Sequence, residues 1–156
     1  MNSTEKPGAG GQRQSGGRNT RRRAREFAVQ GLYEWLISAS DSGLIEAGLR
    51  ASPGFDRCDK AHLASLLHGS IREVSHLTEK FGKHLDRPIE QVSPVERAVL
   101  MVGTYEMIHH PEVPYRVVIN EAVDLAKVFG GPEGHRFING IMDKVAADSG
   151  VAQGLR

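Results

Sequence analysis

The chain has 156 residues, 39% hydrophobic and 25% charged, which fits one soluble globular domain with its own core. Its single cysteine, Cys58, excludes an intramolecular disulfide and any zinc site built on several thiolates. Twenty Lys and Arg against 19 Asp and Glu conceal a segregation: residues 1–25 hold seven basic side chains and one acidic (+6), and residues 26–156 hold 13 basic and 18 acidic (−5).

Residues 1–18 are rich in Gly, Ser and Gln, with almost no apolar side chains to offset the entropy of ordering, so this start is expected to be disordered. From Arg21 a helical stripe sets in: Ala24, Phe27, Ala28, Gly31, Leu32, Trp35 and Leu36 share one face. Arg22, Arg25 and Glu26 fall off that stripe and are expected to face water. A short helix follows over 42–49 with Leu44, Ile45 and Leu49 inward, broken by Ser52-Pro53-Gly54. Asp59 is a candidate N-cap for the longest element, whose stripe runs from Leu63 through Leu66, Leu67, Ser70, Ile71, Val74 and Leu77 to Phe81. Gly82 is placed for a left-handed cap.

Ser93-Pro94-Val95-Glu96 reads as a capping box with proline at the first helical position. The helix it opens, to about residue 108, is apolar nearly all round and is expected at the centre of the fold. His109-His110-Pro111 stops it. Pro114 starts another helix with Val118, Ile119, Ala122, Leu125, Ala126 and Phe129 on one side, ended by Gly130-Gly131-Pro132. The last helix carries Phe137, Ile138, Ile141, Met142 and Val145. With no run of period two, the fold class is an all-α bundle. The domain is set at 21–148, with tails at 1–20 and 149–156.

No segment has the length of apolar residues needed to span a bilayer. Glu26, Gln30 and Glu34 interrupt the stretch a secretory signal would need, and an organellar transit peptide would be cut inside the first packed helix. The expected compartment is the cytoplasm. None of the seven histidines completes a metal pattern, so neither a metal nor another cofactor is expected. His109-His110 suits a helix C-terminus by its charge. The segment Gly130 to Gly134 lacks the Lys-Ser/Thr of a phosphate loop; a flexible turn is the simpler reading, and a backbone approach to a ligand stays open.

The arginines Arg13, Arg18, Arg21, Arg22, Arg23 and Arg25 are the chemical signal. A guanidinium fork suits phosphate and stacks on unpaired bases. Positive charge at a helix start opposes the macrodipole, which points to a polyanion rather than to helix stability, although a plain basic tail is the commoner fate of such a run. The acidic body in turn favours a basic partner. Glu90, Glu96, Glu106, Glu121 and Asp124 are otherwise ordinary solvated positions.

Arg21-Arg22-Arg23-Ala24-Arg25-Glu26 with Ala28-Val29-Gln30 and Leu32-Tyr33 closely resembles the opening of the NusB family. So do Val95-Glu96-Arg97-Ala98-Val99-Leu100 with Tyr105-Glu106, the stretch from Val113 to Ala122 with Leu125-Ala126-Lys127 and Phe129-Gly130, and His135-Arg136-Phe137-Ile138-Asn139-Gly140 with Asp143-Lys144. The resemblance runs in order over residues 21–147. It implies about seven helices in two three-helix subdomains and a non-enzymatic transcription antitermination role. It further implies binding of single-stranded boxA RNA with the ribosomal protein NusE, and assembly with RNA polymerase and other Nus factors. RNA contacts carried over fall on Arg21, Arg22, Arg23, Arg25, Glu133, Arg136 and Phe137; the NusE surface falls on Tyr33, Glu90 and Glu96. Asn139-Gly140 suggests a close helix approach. Two rivals are a methyltransferase accessory domain, for which these residues leave no cofactor-binding α/β domain or catalytic cysteine motif, and a homodimer that hides the RNA surface.

Overall fold

The computed structural model describes residues 5–131 and 133–153, and among these there is no strand. Seven α-helices follow in order: α1 (Glu5–Ser38), α2 (Ser42–Arg50), α3 (Lys60–Arg72), α4 (Val74–Gly82), α5 (Pro94–His109), α6 (Tyr115–Phe129) and α7 (Gly134–Ser149). Short 3-10 turns lie at Phe55–Arg57, Ile89–Gln91 and Val151–Gln153. Helices α1, α2 and α3 pack together, as do α5, α6 and α7, and α4 lies against α5 and α7.

Helix α5 is the axle of the molecule. It touches α1, α3, α4, α6 and α7, and every residue from Ala98 to Met107 is buried. Its apolar perimeter is the cause, because a helix with no polar face has nothing to turn toward water. The Ser93 hydroxyl accepts from the Glu96 amide at 3.1 Å and fixes where α5 begins. On α1 the expected stripe is buried at Ala24, Phe27, Ala28 and Leu32, while Trp35 and Leu36 pack partly against the core.

The boundaries depart from the sequence expectations in physical detail. Helix α1 spans Glu5–Ser38, and residues 1–4 of the expected disordered tail lie outside the described residues. Gly17, Arg18 and Asn19 are exposed, and from Gly17 onward the first buried side chain is Ala24. The long element expected to reach Phe81 is two helices, because the backbone at Glu73 leaves the helical region (φ −105°, ψ 23°). Gly82 closes α4 inside the helix and is no left-handed cap; the positive-φ glycines are Gly54 and Gly150. At Gly150 the chain turns back, and Val151 rejoins the core at 8% exposure instead of trailing away.

Two apolar expectations fail. Leu44, expected inward, is 71% exposed, because α2 spans only nine residues and its buried edge is Ile45 and Leu49. Gly140 meets nothing within 4 Å of a Cβ position, so it mediates no close approach. The close crossing lies at Gly69, where a side chain would run into the Tyr105 ring and hydroxyl of α5. Cys58 is buried beside Phe55, and burial pushes its thiol pKa up.

Candidate nucleic-acid interface

The arginine motif lies on α1. Successive guanidiniums leave the helix in different directions and meet different surroundings. Arg23 lies over the turn at Gly54, with Nη1 2.8 Å from where a Cβ would sit. Only glycine leaves that space, and only glycine takes the φ of 86° there without strain.

Arg21 donates from Nε to Asp59 Oδ2 at 3.5 Å and from Nη1 to Glu112 Oε2 at 3.3 Å. Asp59 also caps α3 by accepting from the His62 amide at 2.9 Å, as its N-cap position predicts. Its backbone N–H donates to Thr20 O at 3.0 Å, tying the start of α3 to α1. Burial raises the Asp59 pKa, but the His62 amide bond and the nearby cations outweigh it and hold the carboxyl below its ordinary value.

Arg22 makes a side-on pair with Glu121 of α6, from Nε at 3.2 Å and Nη2 at 2.8 Å, and Nη2 also reaches Asp124 at 3.4 Å. Its side chain is nevertheless 52% exposed. The Glu121 hydrogen bond raises the Arg22 pKa further, so the guanidinium is a permanent cation.

Arg25 behaves differently and corrects the expectation that it faces water. It is 4% exposed and clamps Glu106 of α5, with Nε at 2.9 Å from Oε1 and Nη2 at 2.7 Å from Oε2. Glu106, expected on a solvated face, is 1% exposed. His62 Nε2 donates to the same Oε2 at 2.9 Å; the carboxylate only accepts, so that nitrogen carries the proton. His62 Nδ1 is left buried without a partner, and the ring meets His110 edge-on at 4.6 Å. Burial drives the Glu106 pKa up, yet the His62 and Arg25 hydrogen bonds prevail and bring it down to about 2. Arg25 cannot contact a ligand without breaking this cluster.

The second set of expected RNA contacts sits elsewhere. Arg18, Arg21 and Arg25 line a cleft with Val113, Pro114 and Val117 at the start of α6, and Arg22 meets its middle. Glu133, Arg136 and Phe137 lie past the far end of α6, at the start of α7. Arg136 is 79% and Glu133 83% exposed, 3.9 Å apart. Phe137 is half-buried, and the Arg87 guanidinium covers its ring at 4.5 Å from the centroid. Arg87 is held in turn by Asp86 at 2.8 Å. Sequence reasoning missed Arg87, because a residue fifty positions away gives no periodic signal on α7. Gly130 has a local reason of its own: a Cβ there would press on Ala126 O at 2.8 Å, the carbonyl its N–H already binds.

Of the expected partner surface, Tyr33 is 39% exposed, Glu90 is exposed and Glu96 is half-buried. Ile37, one turn after Tyr33, is 58% exposed, which leaves an apolar edge at the end of α1. Among the described residues no group of His, Cys, Asp and Glu is placed to hold a metal ion, and no helix is long and apolar enough to cross a membrane.

Comparison with known proteins gives one consistent answer. The model of the NusB family matches residues 22–147. The transcription antitermination protein NusB of Ralstonia nicotianae is 56% identical over 130 residues, covering 83% of this chain and 84% of that protein. Among solved structures, T. maritima NusB superposes with a TM-score of 0.72 at 25% identity, covering 81% of this chain and 90% of that one. A crystal structure of antitermination factors NusB and NusE in complex with dsRNA shares the fold, with a TM-score of 0.67 at 22% identity over 81% of this chain and 96% of that one.

Proposed function

The chain belongs to the NusB family, and from that premise we propose that it binds boxA-type single-stranded RNA jointly with NusE. In this role it helps RNA polymerase and other Nus factors pass premature termination signals, notably in ribosomal RNA operons. The family is one of transcription antitermination regulators, not enzymes. The working unit is residues 21–148, and it acts in the cytoplasm.

One observation carries the RNA reading: Arg21 and Arg22 hold carboxylates through pairs that are still open to solvent, with side chains 34% and 52% exposed. A guanidinium in such a pair can donate to a phosphate instead, and Arg22 can do so in the side-on geometry it uses for Glu121. Arg23 extends this surface, and Arg136 and Glu133, both largely exposed at the start of α7, supply a second contact beside Phe137, whose ring Arg87 covers. Arg25 serves from beneath, fixing α1 on α5 through Glu106. Tyr33, Glu90 and Glu96 supply the NusE surface, where the exposed apolar edge of α1 supports a protein contact.

Fluorescence anisotropy with a boxA oligonucleotide and a scrambled one, with and without NusE, tests the reading. Preference for boxA in the presence of NusE is expected. Replacing Arg22 with Ala should weaken binding and lower the slope of log affinity against log salt by about 0.7, the contribution of one phosphate contact on a single strand. Equal affinity for both oligonucleotides with NusE present overturns the proposal.

A further inference from the structure

We propose that Glu112, Glu121 and Asp124 act as an internal competitor for RNA phosphate and set how tightly the chain holds RNA of any sequence. This rests on the RNA reading above and goes beyond it. Arg22 spends Nε and Nη2 on Glu121 at 3.2 and 2.8 Å, and that edge is the one a phosphate uses for bidentate recognition. A phosphate therefore replaces Glu121 rather than adding to it. Asp124, 47% exposed and 3.4 Å from Arg22 Nη2, stays beside the arriving phosphate and repels it. Glu112, 51% exposed, occupies Arg21 Nη1 at 3.3 Å through the oxygen that also accepts from His110 Nδ1 at 2.9 Å.

The motif thus contains guanidiniums of two kinds. Arg25 and Glu106 are sealed at 5% and 1% side-chain exposure and do not exchange partners. The pairs of Arg21 and Arg22 lie at the surface, where ion pairs are weak and exchangeable. Phosphate contacts carry no sequence information, so a carboxylate that must be displaced weakens all RNAs alike. Retention on RNA then depends on base contacts or on a second protein.

The test uses the full chain, a labelled boxA oligonucleotide and a scrambled one of equal composition. Asp124→Asn and Glu112→Gln each replace a half-exposed carboxylate; Glu121 is left alone because it also lies 3.5 Å from Arg25. Unchanged thermal midpoints establish that the variants are folded. Each substitution is expected to tighten binding of both RNAs by the same factor, about two- to fivefold, the range of an exposed ion pair. In an Arg22→Ala background Asp124→Asn should have no effect, since the competition acts through that guanidinium. Unchanged affinity in variants whose parent binds RNA overturns the inference, as does a gain that survives Arg22→Ala. Failure of the parent and all variants to bind either RNA overturns the RNA reading itself and this inference with it.

Discussion

Glu106 survives at the middle of an apolar helix because Arg25 and His62 together supply four hydrogen bonds to its two oxygens. Replacing it with Gln keeps one acceptor oxygen but leaves Arg25 a buried cation whose nearest anion is Glu121 at 3.5 Å. Breaking a buried pair in this way costs on the order of 3–5 kcal/mol, which urea denaturation at neutral pH would read as a lowered midpoint. The folded pKa lies below the ordinary value of 4.5, at about 2. Its stabilising contribution is therefore complete above about pH 4.5 and disappears as pH falls toward 2. Midpoints measured down that acid limb should fall for the parent, and Glu106→Gln should lack this part of the fall. The signal was present in the sequence: a charge on a helix apolar all round has nowhere exposed to go. What was not legible was the partner, since Arg25 lies 81 residues away. Leu44 failed for the opposite reason, because on a two-turn helix neighbouring apolar residues cannot all face one side.

At the scale of elements, Asp59 and Ser93 announced their helices because capping chemistry is local, and the bonds found are those such residues make. The split between α3 and α4 was invisible, since the apolar stripe continues across Glu73 and only tertiary packing bends the chain there. Gly69 was equally silent. Its place in α3 is set by Tyr105, which leaves no room for a methyl group. Gly69→Ala would gain up to ~1 kcal/mol in helix propensity. Overpacking against a buried ring costs about 1–3 kcal/mol, so net destabilisation is expected, by thermal or urea melting. A variant as stable as the parent would show that α3 and α5 can move apart freely.

For the whole molecule, the +6 arm and −5 body read from the sequence are not two separated faces. Arg21 and Arg22 each meet two carboxylates of the body, Asp59 with Glu112 and Glu121 with Asp124, and Arg25 meets Glu106, so part of the segregation along the chain becomes neutralisation in space. The all-α architecture and its helices, apart from the break between α3 and α4, were legible because periodicity is a property of each segment alone. That Arg22 meets the middle of α6 while Phe137 lies past its end was not, because it depends on how α1 crosses that helix. Cys58 gives this architecture a built-in clock. The sole thiol is walled off at 5% exposure among α1, α2 and α3, so an alkylating reagent reaches it only when that half of the bundle parts. Alkylation rates along a denaturant series should then tell whether the two halves come apart together or the first loosens ahead of the second. Labelling that runs at the speed of a free thiol in native buffer would mean the wall is not closed.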